Sequence, residues 1–472
     1  MINAKTIIDK LPTIPNEEDV DDLLREELKN FNRKIVVLDD DPTGTQTINN
    51  TYVFTHWRLQ DIEEGFSDSR NMFYILTNSR SFTKKHTIEV HRKIVENIKE
   101  IAKKQHKDYV LISRGDSTLR GHYPIETEVM KETLEKDTDI KVDGEVIIPF
   151  FKEGGRLTIN NIHYVKVGDD LIPAGETEFA KDKTFGYIES DLTKWVEEKT
   201  NKKYLSQSVI TISIEDLREL NIDKIVSQLM RVTNFNKVVV NATEYADVKV
   251  FVIALIRAMN KGKYFIFRSA AALTKIIGGI SDKELLTKKE LVADNNNGGL
   301  IMIGSHVQKT TDQLKKLLEL DNIESTEFNV NSVLNDEDLA NEKQRINDFI
   351  SKNISTGKSV VVYTSRKVID IKNDKEKSLQ LSVKISEAIT RFVKELKTKP
   401  GFIIAKGGIT SSDIGVKGLG VNKALVAGQI KPGIPVWYTG NEAKFSGMPY
   451  VIFPGNVGKI DDLRDIVYEL SN

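Results

Sequence analysis

The feature that most constrains this chain is an apolar run, Ile35-Val36-Val37-Leu38, that ends abruptly in Asp39-Asp40-Asp41-Pro42-Thr43-Gly44. Three of the four apolar residues are β-branched, which favours a buried strand. Pro42 and Gly44 then turn the chain. The pattern recurs. Met72 to Leu76 runs into Thr77-Asn78-Ser79-Arg80, Tyr109 to Ser113 runs into Arg114-Gly115-Asp116-Ser117-Thr118-Leu119-Arg120-Gly121-His122, and Glu145 to Pro149 forms a further strand. Between them a helix is predicted from about Lys84 to Gln105, with Ile88, Val95, Ile98 and Ala102 on one stripe, and Pro124 suits the first turn of another. Strands alternating with helices predict an α/β fold with a mostly parallel sheet. Ligands of such sheets bind beyond the carboxyl ends of the strands.

A second run of the same kind follows the polar stretch Asp294-Asn295-Asn296-Asn297-Gly298-Gly299, the clearest linker signal in the chain. Its predicted strands are Leu300 to Ile303, Ser359 to Tyr363, Gly401 to Ala405 and Tyr450 to Phe453. Helices are predicted from Gln308, over Leu381 to Leu396, and at the end of the chain. Between the two runs only Val238 to Ala242 reads clearly as a strand; Gly154 to Thr158 and Gly168-Asp169-Asp170 read as loops. At 472 residues, two α/β domains are expected, each with a mostly parallel sheet: 34–293 and 298–472. Residues 1–33 form a helical extension with Leu23, Leu24 and Leu28 at helical spacing, packed on the body or on a partner.

A net charge of −1 gives no electrostatic footprint for nucleic acid or a membrane surface. The absence of cysteine excludes disulfides, thiolate metal sites and cysteine nucleophiles. No signal-like leader or membrane-length apolar run is present, and a cytoplasmic protein is expected.

Three adjacent carboxylates repel one another and do not serve stability. They read as a solvated turn, as a general base and hydroxyl binder, or as an aspartyl nucleophile. The last arises because Asp39-x-Asp41-x-Thr43 after a strand fits the haloacid-dehalogenase phosphatase pattern. Arg114, Asp116 and Arg120 share one loop with Ser117 and Thr118, and Arg80 and Arg156 are candidates to join them. Guanidinium forks beside hydroxyls suit a carboxylate or a phosphate. Gly407-Gly408-Ile409-Thr410-Ser411, Gly304-Ser305 and Gly455-Asn456-x-Gly458 sit at three strand ends, where glycines let backbone N–H groups approach anionic oxygens. P-loop and dinucleotide fingerprints are absent. The seven histidines show no metal-ligand spacing; His122, beside the arginine loop, suits hydrogen bonding or packing.

Asp40-Asp41-x-Thr43-Gly44, Asn78-x-Arg80, Asp116-Ser117-Thr118-Leu119-Arg120-Gly121, Pro149 with Gly155-Arg156, Gly304-Ser305 with Thr311 and Gln313, Gly407-Gly408-x-Thr410 and Gly455-Asn456-x-Gly458 follow one another along nearly the whole chain. In this the sequence resembles the four-carbon acid sugar kinase family, which includes 3-oxo-tetronate, D-threonate and D-erythronate kinases. The resemblance implies an N-terminal acid-sugar domain, a C-terminal ATP domain and an active site in the cleft between them. It implies ATP- and Mg²⁺-dependent phosphorylation of a terminal hydroxyl. Asp40, Asp41 and Asp116 become the candidate catalytic residues. Thr43, Gly44, Arg80, Arg114, Ser117, Thr118, Arg120 and Arg156 become the candidate acid-sugar residues. Ser305, Gly407, Gly408, Ile409, Thr410 and Gly455 would hold the nucleotide. The sequence departs from the family at Pro42, where Phe is common, at Thr45, where Ala is, at Ile409, often acidic, and at Asn241, usually Asp. Asp413 is a candidate to take over metal handling from Ile409; the metal ligands are otherwise unassigned.

The expected reading is a kinase for a small sugar acid, with Arg120, Arg114 and Arg80 anchoring the carboxylate and Asp40 or Asp41 as base. A homo-oligomer is compatible with it, and neither nucleic acid nor membrane is an expected partner. Its rivals are a phosphatase using Asp39 and Asp41, with Gly168-Asp169-Asp170 as metal loop, and a sugar-acid sensor without turnover, suggested by Ile409 and Asn241. Against the phosphatase, Gly44 stands where that pattern wants an apolar residue.

Overall fold

The computed structural model describes residues 2–292, 296–305, 307–366, 375–455 and 457–472. The chain forms two compact units: Met1–Gly44 with His56–Asp282, and Thr45–Thr55 with Lys283–Asn472. The division thus differs from the one expected at residues 33, 293 and 298, for reasons of packing. The helix Glu17–Lys29 buries Val20 and Leu24, and its Asp21 and Glu27 pair with Lys249 (2.6 Å) and Arg257 (2.7 Å) on the helix Tyr245–Asn260. The leading segment is therefore part of the first unit. The strand Thr51–Phe54 pairs antiparallel with Lys423–Lys431, and the Trp437 indole N–H donates to Thr45 Oγ1 (3.0 Å), so this short excursion belongs to the second unit. Leu286 N–H donates to Gln429 O (2.8 Å), drawing the boundary back from the predicted linker. Asp294 and Asn295 of that linker lie outside the described residues, as do His306 and Asn456.

The main sheet of the first unit runs Ile210–Ile212, Asn236–Val240, Gly144–Ile148, Phe265–Ser269, Tyr109–Arg114, Lys34–Asp39, Met72–Leu76, parallel throughout. Every residue of Lys34–Asp39, Met72–Leu76 and Tyr109–Arg114 is buried. This is the signature of a parallel sheet covered on both faces. The expected helix over Lys84–Gln105 is present with Thr83 as its N-cap, and the helix near Pro124 spans Ile125–Glu135. After Lys34–Asp39 the chain reaches the neighbour on one side, and after Tyr109–Arg114 it moves off to the other. That reversal is a topological switch point, where the loops splay apart and leave a crevice. Asp39 pairs in register with Arg114 and with Leu76 there.

Two segments read as loops prove to contain strands. Arg156–Ile159, Ile162–Val167 and Asp170–Pro173 form an antiparallel meander, extended by Ile2–Asn3 on its outer edge. Its strands are short, entered at Gly155 (φ +70°) and turned at Asn160-Asn161 (φ 50° and 67°) and Gly168 (φ +59°), so turn signals dominate the local sequence.

The sheet of the second unit runs Thr51–Phe54, Lys423–Lys431, Ile434–Thr439, Pro449–Phe453, Ile403–Lys406, Leu300–Ile303, Ser359–Thr364, Ile323–Phe328. From Pro449–Phe453 onward neighbours are parallel; the preceding hairpin is antiparallel. Ile301, Ile303, Ile404, Val451 and Phe453 pack against Leu314 and Leu317 of the helix Gln308–Leu317 and Ile466 and Val467 of the helix Asp462–Ser471. Among the described residues no helix is long and apolar enough to cross a membrane.

Candidate active site

In the first unit the carboxyl ends of three parallel strands converge. Asp39 is the last residue of its strand and points into the interior, 1% exposed. A Cβ on Gly44 would stand 1.8 Å from Asp39 Oδ2, so only glycine lets the turn close over that carboxylate. Arg114 Nη1 lies 3.7 Å from Asp39 Oδ1, and the Asp41 N–H donates to the same oxygen (3.4 Å). Burial, and then the charges of Asp40 and Asp41, push the Asp39 carboxyl well above its ordinary range against the pull of Arg114. Asp39 and Arg114 thus form a buried layer beneath the site.

Above that layer sit the predicted catalytic acids. Arg80 is delivered by a turn that begins at Asn78 in the left-handed region (φ 57°), a conformation Asn tolerates well. Its Nη2 pairs with Asp41, its Nε lies 3.4 Å from Asp40 Oδ2 and its Nη1 3.7 Å from Asp116 Oδ1. One guanidinium therefore gathers all three acids. Arg120 Nε adds a 2.7 Å bond to Asp116 Oδ2, which also accepts the Thr118 hydroxyl. Burial alone would raise Asp116, but Arg120, then Arg80, then these hydrogen bonds outweigh it and hold its carboxyl far below the usual range. Asp40 behaves in the opposite way. Burial raises it to about 6, against Arg80, Arg268 and Arg114, with Glu126 adding to the rise. Its Oδ2 accepts the Asp116 N–H (3.2 Å), while its buried Oδ1 has no hydrogen-bond partner among the described residues. Asp41 Oδ1 caps the Thr43 N–H (2.8 Å).

The loop carrying Asp116 is held from several sides. Leu119 adopts φ +67°, which costs a branched residue about 1–2 kcal/mol. Tyr187 OH donates to Thr118 O (2.8 Å) and His163 Nε2 to Ser117 O (2.8 Å). Burial lowers His163 to about 4, so it stays neutral; its Nδ1 takes the Thr158 hydroxyl (3.0 Å), which fixes the tautomer. Ser117 and Thr118 thus sit in the site chiefly through their backbone and through Asp116. His122 donates to Phe82 O (3.0 Å) and packs edge-on against Phe185, the structural role expected of it.

Arg156, first residue of the meander, is buried (9% exposed), its Nε has no hydrogen-bond partner among the described residues, and burial lowers its affinity for its proton against the pull of Asp116. Its guanidinium carbon lies 5.6 Å from the centre of the Phe179 ring, and that of Arg120 lies 5.1 Å from the same ring. Two cations thus share one aromatic ring, and among the described residues no carboxylate forms an ion pair with Arg156. Phe179 escaped the sequence reading because it belongs to a short 3-10 turn, Glu178–Lys181, with no periodicity.

Arg268 also escaped it, although Phe265-Ile266-Phe267 ending in Arg-Ser carries the same strand-end signal as the others. Its buried guanidinium lies under the Arg114–Gly121 loop. A Cβ on Gly115 would fall 1.1 Å from Arg268 Nη1. Nη2 donates to Arg120 O (2.7 Å), and Nη1 faces Glu126 Oε2 at 4.0 Å. Glu126 accepts the Ser79 hydroxyl (2.6 Å), completing a buried layer that seats both loops.

In the second unit Ile303, Lys406 and Phe453 are in register at the ends of adjacent parallel strands, which brings the three predicted glycine turns side by side. Gly407 has φ +115°, and a Cβ there would stand 3.1 Å from Ser305 Cβ; one on Gly304 would stand 2.4 Å from Thr410 Oγ1. Thr310 Oγ1 donates to Ser305 Oγ (3.3 Å) and approaches Gly455 O (3.4 Å). Ser305, Gly407, Thr410 and Gly455 therefore form one cradle, with Gly408 opening the helix Gly408–Asp413. Arg366, unforeseen, donates to Ser305 O (2.7 Å).

Ile409 is 71% exposed. Asp413 pairs with Lys417 (2.7 Å) and accepts the Ser386 hydroxyl, which removes it as the stand-in metal ligand. Among the described residues no three His, Asp or Glu side chains gather to hold a metal ion. The expected Mg²⁺ therefore does not fit a resident carboxylate set at this turn. Asn241 is used structurally. Its amide exchanges hydrogen bonds with Asn161 (2.7 and 2.9 Å) and donates to Ile212 O (2.9 Å).

Residues 35–277 match the family model of a sugar-binding N-terminal domain, and residues 300–463 that of a nucleotide-binding C-terminal domain. No curated protein matches the sequence. The Haemophilus influenzae protein HI1011, of the DUF1537 family, is structurally similar over 93% of this chain and 100% of its own, at 19% identity and a TM-score of 0.59. A Salmonella typhimurium LT2 protein described as a "putative tRNA synthase" is similar over 92% of this chain and 98% of its own, at 15% identity and a TM-score of 0.65. At these identities the likeness shows a shared fold.

Proposed function

Because this chain belongs to the four-carbon acid sugar kinase family, we propose that it transfers the γ-phosphoryl group of ATP to the terminal hydroxyl of a four-carbon sugar acid of the threonate, erythronate or 3-oxo-tetronate type. The first unit takes the acid and the second the nucleotide. The observation that carries this reading is the Arg120–Phe179–Arg156 arrangement. Arg156 is a buried cation lacking a carboxylate partner, and burying a charge is costly unless it is paired. A ligand carboxylate is the anion that completes it, in bidentate fashion with Arg120. Arg80, Arg114 and Arg120, the anchor expected from sequence, are all engaged by aspartates, so Arg156 is added to it, next to Arg120 across the Phe179 ring.

Asp40 then takes the hydroxyl proton. Its affinity for a proton near pH 6 suits a general base at neutral pH, and its Oδ1 has a free acceptor position. Asp41 is tied to Arg80 and to the Thr43 N–H, and serves to hold Arg80 in place. The glycine cradle, with Ser305 and Thr410, holds the phosphate chain through backbone N–H groups and hydroxyls. Catalysis is positioning and electrostatics, as in phosphoryl transfer generally. Mg²⁺ enters as part of the nucleotide substrate. The phosphatase reading has little to stand on, because Asp39 is covered by Gly44 and Arg114 and offers no approach to a phosphoryl group. The sensor reading loses one of its grounds with the structural role of Asn241.

The test is ATP consumption, with Mg²⁺, against D- and L-threonate, D- and L-erythronate and 3-oxo-tetronates, with glycerate and glycerol as controls. One strong acid substrate with a terminal phosphate product is expected. Equal turnover of glycerol would refute carboxylate anchoring, and silence across the acids with ATP bound would refute the substrate class.

A further inference from the structure

Lys406 closes the strand Ile403–Lys406, immediately before Gly407-Gly408, and none of its surface is exposed. A lysine this deep is ordinarily paired with a carboxylate. Here its ammonium donates to the carbonyls of Pro454 and Gly455, the latter at 3.3 Å, and stands 4.1 Å from the centre of the Phe453 ring. The charged group that faces it is another cation, Lys309 on the helix Gln308–Leu317.

The direction of those bonds matters. A trans peptide is planar, so its C=O and N–H point opposite ways. With the Pro454 carbonyl turned down to Lys406, the Gly455 N–H is turned away from it. Among the described residues, the atom nearest a Cβ built on Gly455 is the Ser305 hydroxyl oxygen, at 3.7 Å, so Ser305 borders the loop at this glycine.

We propose that Lys406 is the positioning residue for the nucleotide's phosphate chain, turning the Gly455 N–H toward the phosphate oxygens and supplying beneath them a charge whose counter-ion is the phosphate itself. The proposal rests on the nucleotide reading of the second unit. It also accounts for a phosphate turn that presents Ile409 and no free carboxylate: compensation comes from a resident cation.

A consequence separates this role from a merely structural one. Burial first, and repulsion from Lys309 second, lower Lys406 to about 6, so at pH 8 the free protein holds it neutral. Phosphate charge nearby favours the ammonium form, so binding draws a proton from the buffer onto Nζ. ADP is fully ionised at pH 8, its last phosphate proton leaving near pH ~6.

The experiment is calorimetric titration of the whole protein with ADP and with adenosine at pH 8, in two buffers of different ionisation enthalpy. The expected result for ADP is uptake approaching about one proton per site, and for adenosine none. In Lys406→Met, ADP should bind roughly ten- to a hundredfold more weakly, as for loss of a charge-assisted contact, with no proton uptake and unchanged adenosine binding. ADP enthalpies independent of buffer in the wild type would overturn the proposal without any variant, as would Lys406→Met binding ADP as the wild type does. ADP that fails to bind the wild type would overturn the nucleotide reading and this assignment together.

Discussion

Replacing Asp40 by Asn separates the energetic cost of the site from its chemistry. Asp40 is 3% exposed, and its carboxyl is raised from 3.8 to about 6, chiefly by burial. A carboxyl raised in the folded state favours the protonated form. Its contribution to stability is therefore fully present below pH 3.8 and is lost as pH rises through about 6. At 1.36 kcal/mol for each pH unit between the two values, the ionised carboxylate costs the fold about 3 kcal/mol at pH 8. Integrating the linkage puts roughly 1–2 kcal/mol of that between pH 5 and pH 8. Asp40→Asn keeps the shape and removes the titration. Urea unfolding of both proteins at pH 5, 6, 7 and 8 should show the variant gaining about 1–2 kcal/mol on the wild type across the series. Turnover should meanwhile fall on the order of 10²–10⁴-fold, the usual worth of a general base. A stability difference that does not change with pH would refute the burial argument. Undiminished turnover would refute the assignment of the base.

Arg156→Ala should raise KM for the acid about ten- to a hundredfold, as expected for one charged hydrogen-bonding contact, and leave KM for ATP unchanged in steady-state kinetics; equal effects on both would remove Arg156 from the carboxylate site. Arg268→Met removes one of the two basic groups facing buried Glu126, the other being His91 at 3.9 Å, and should cost on the order of 1–3 kcal/mol in urea unfolding. The double variant with Glu126→Gln should recover part of that loss, and strict additivity would sink the pairing. Asp39→Asn should leave phosphoryl transfer largely in place, since Asp39 lies under Gly44; abolition of turnover with normal folding would revive Asp39 as a reacting group.

The strands that carry the sites were legible because each is a short apolar run that stops at a polar turn. Lys34–Asp39, Met72–Leu76, Tyr109–Arg114, Leu300–Ile303 and Pro449–Phe453 all obey that rule. Periodicity fixed the helix Lys84–Gln105 to its ends. The meander was not legible, because strands of four to six residues between glycine and asparagine turns carry too few alternations to register. Nor was the passage of Thr45–Thr55 into the second unit, which depends on pairing with residues far along the chain. At the site, the residue types were readable and most of their partners were not. The i, i+4 spacing of Asp413 and Lys417 was a local signal, but nothing local says that Asn241 braces Asn161 or that Arg156 is left without an acid.

That unpaired arginine has a kinetic consequence. Arg80 is shared among Asp40, Asp41 and Asp116, Arg120 is shared with Asp116, and Arg156 adds a cation with no acid of its own. In the free protein Arg80, Arg268 and Arg114 pull Asp40 toward ionisation, and burial together with the charge of Glu126 keeps it near pH 6. A substrate carboxylate at Arg120 and Arg156 adds a further negative charge to the site. At an effective dielectric of about 20 and a separation of roughly 10 Å, one charge is worth ~1.7 kcal/mol, enough to lift Asp40 by on the order of one pH unit. Binding the acid thus strengthens the base that must take its proton. The acidic limb of kcat/KM, which reports the free protein, should fall near pH 6, and the limb of kcat, which reports the complex, should lie about one unit higher. In Arg156→Lys, which keeps the charge, the separation should persist; limbs that coincide in the wild type would show that the acid's carboxylate lies elsewhere.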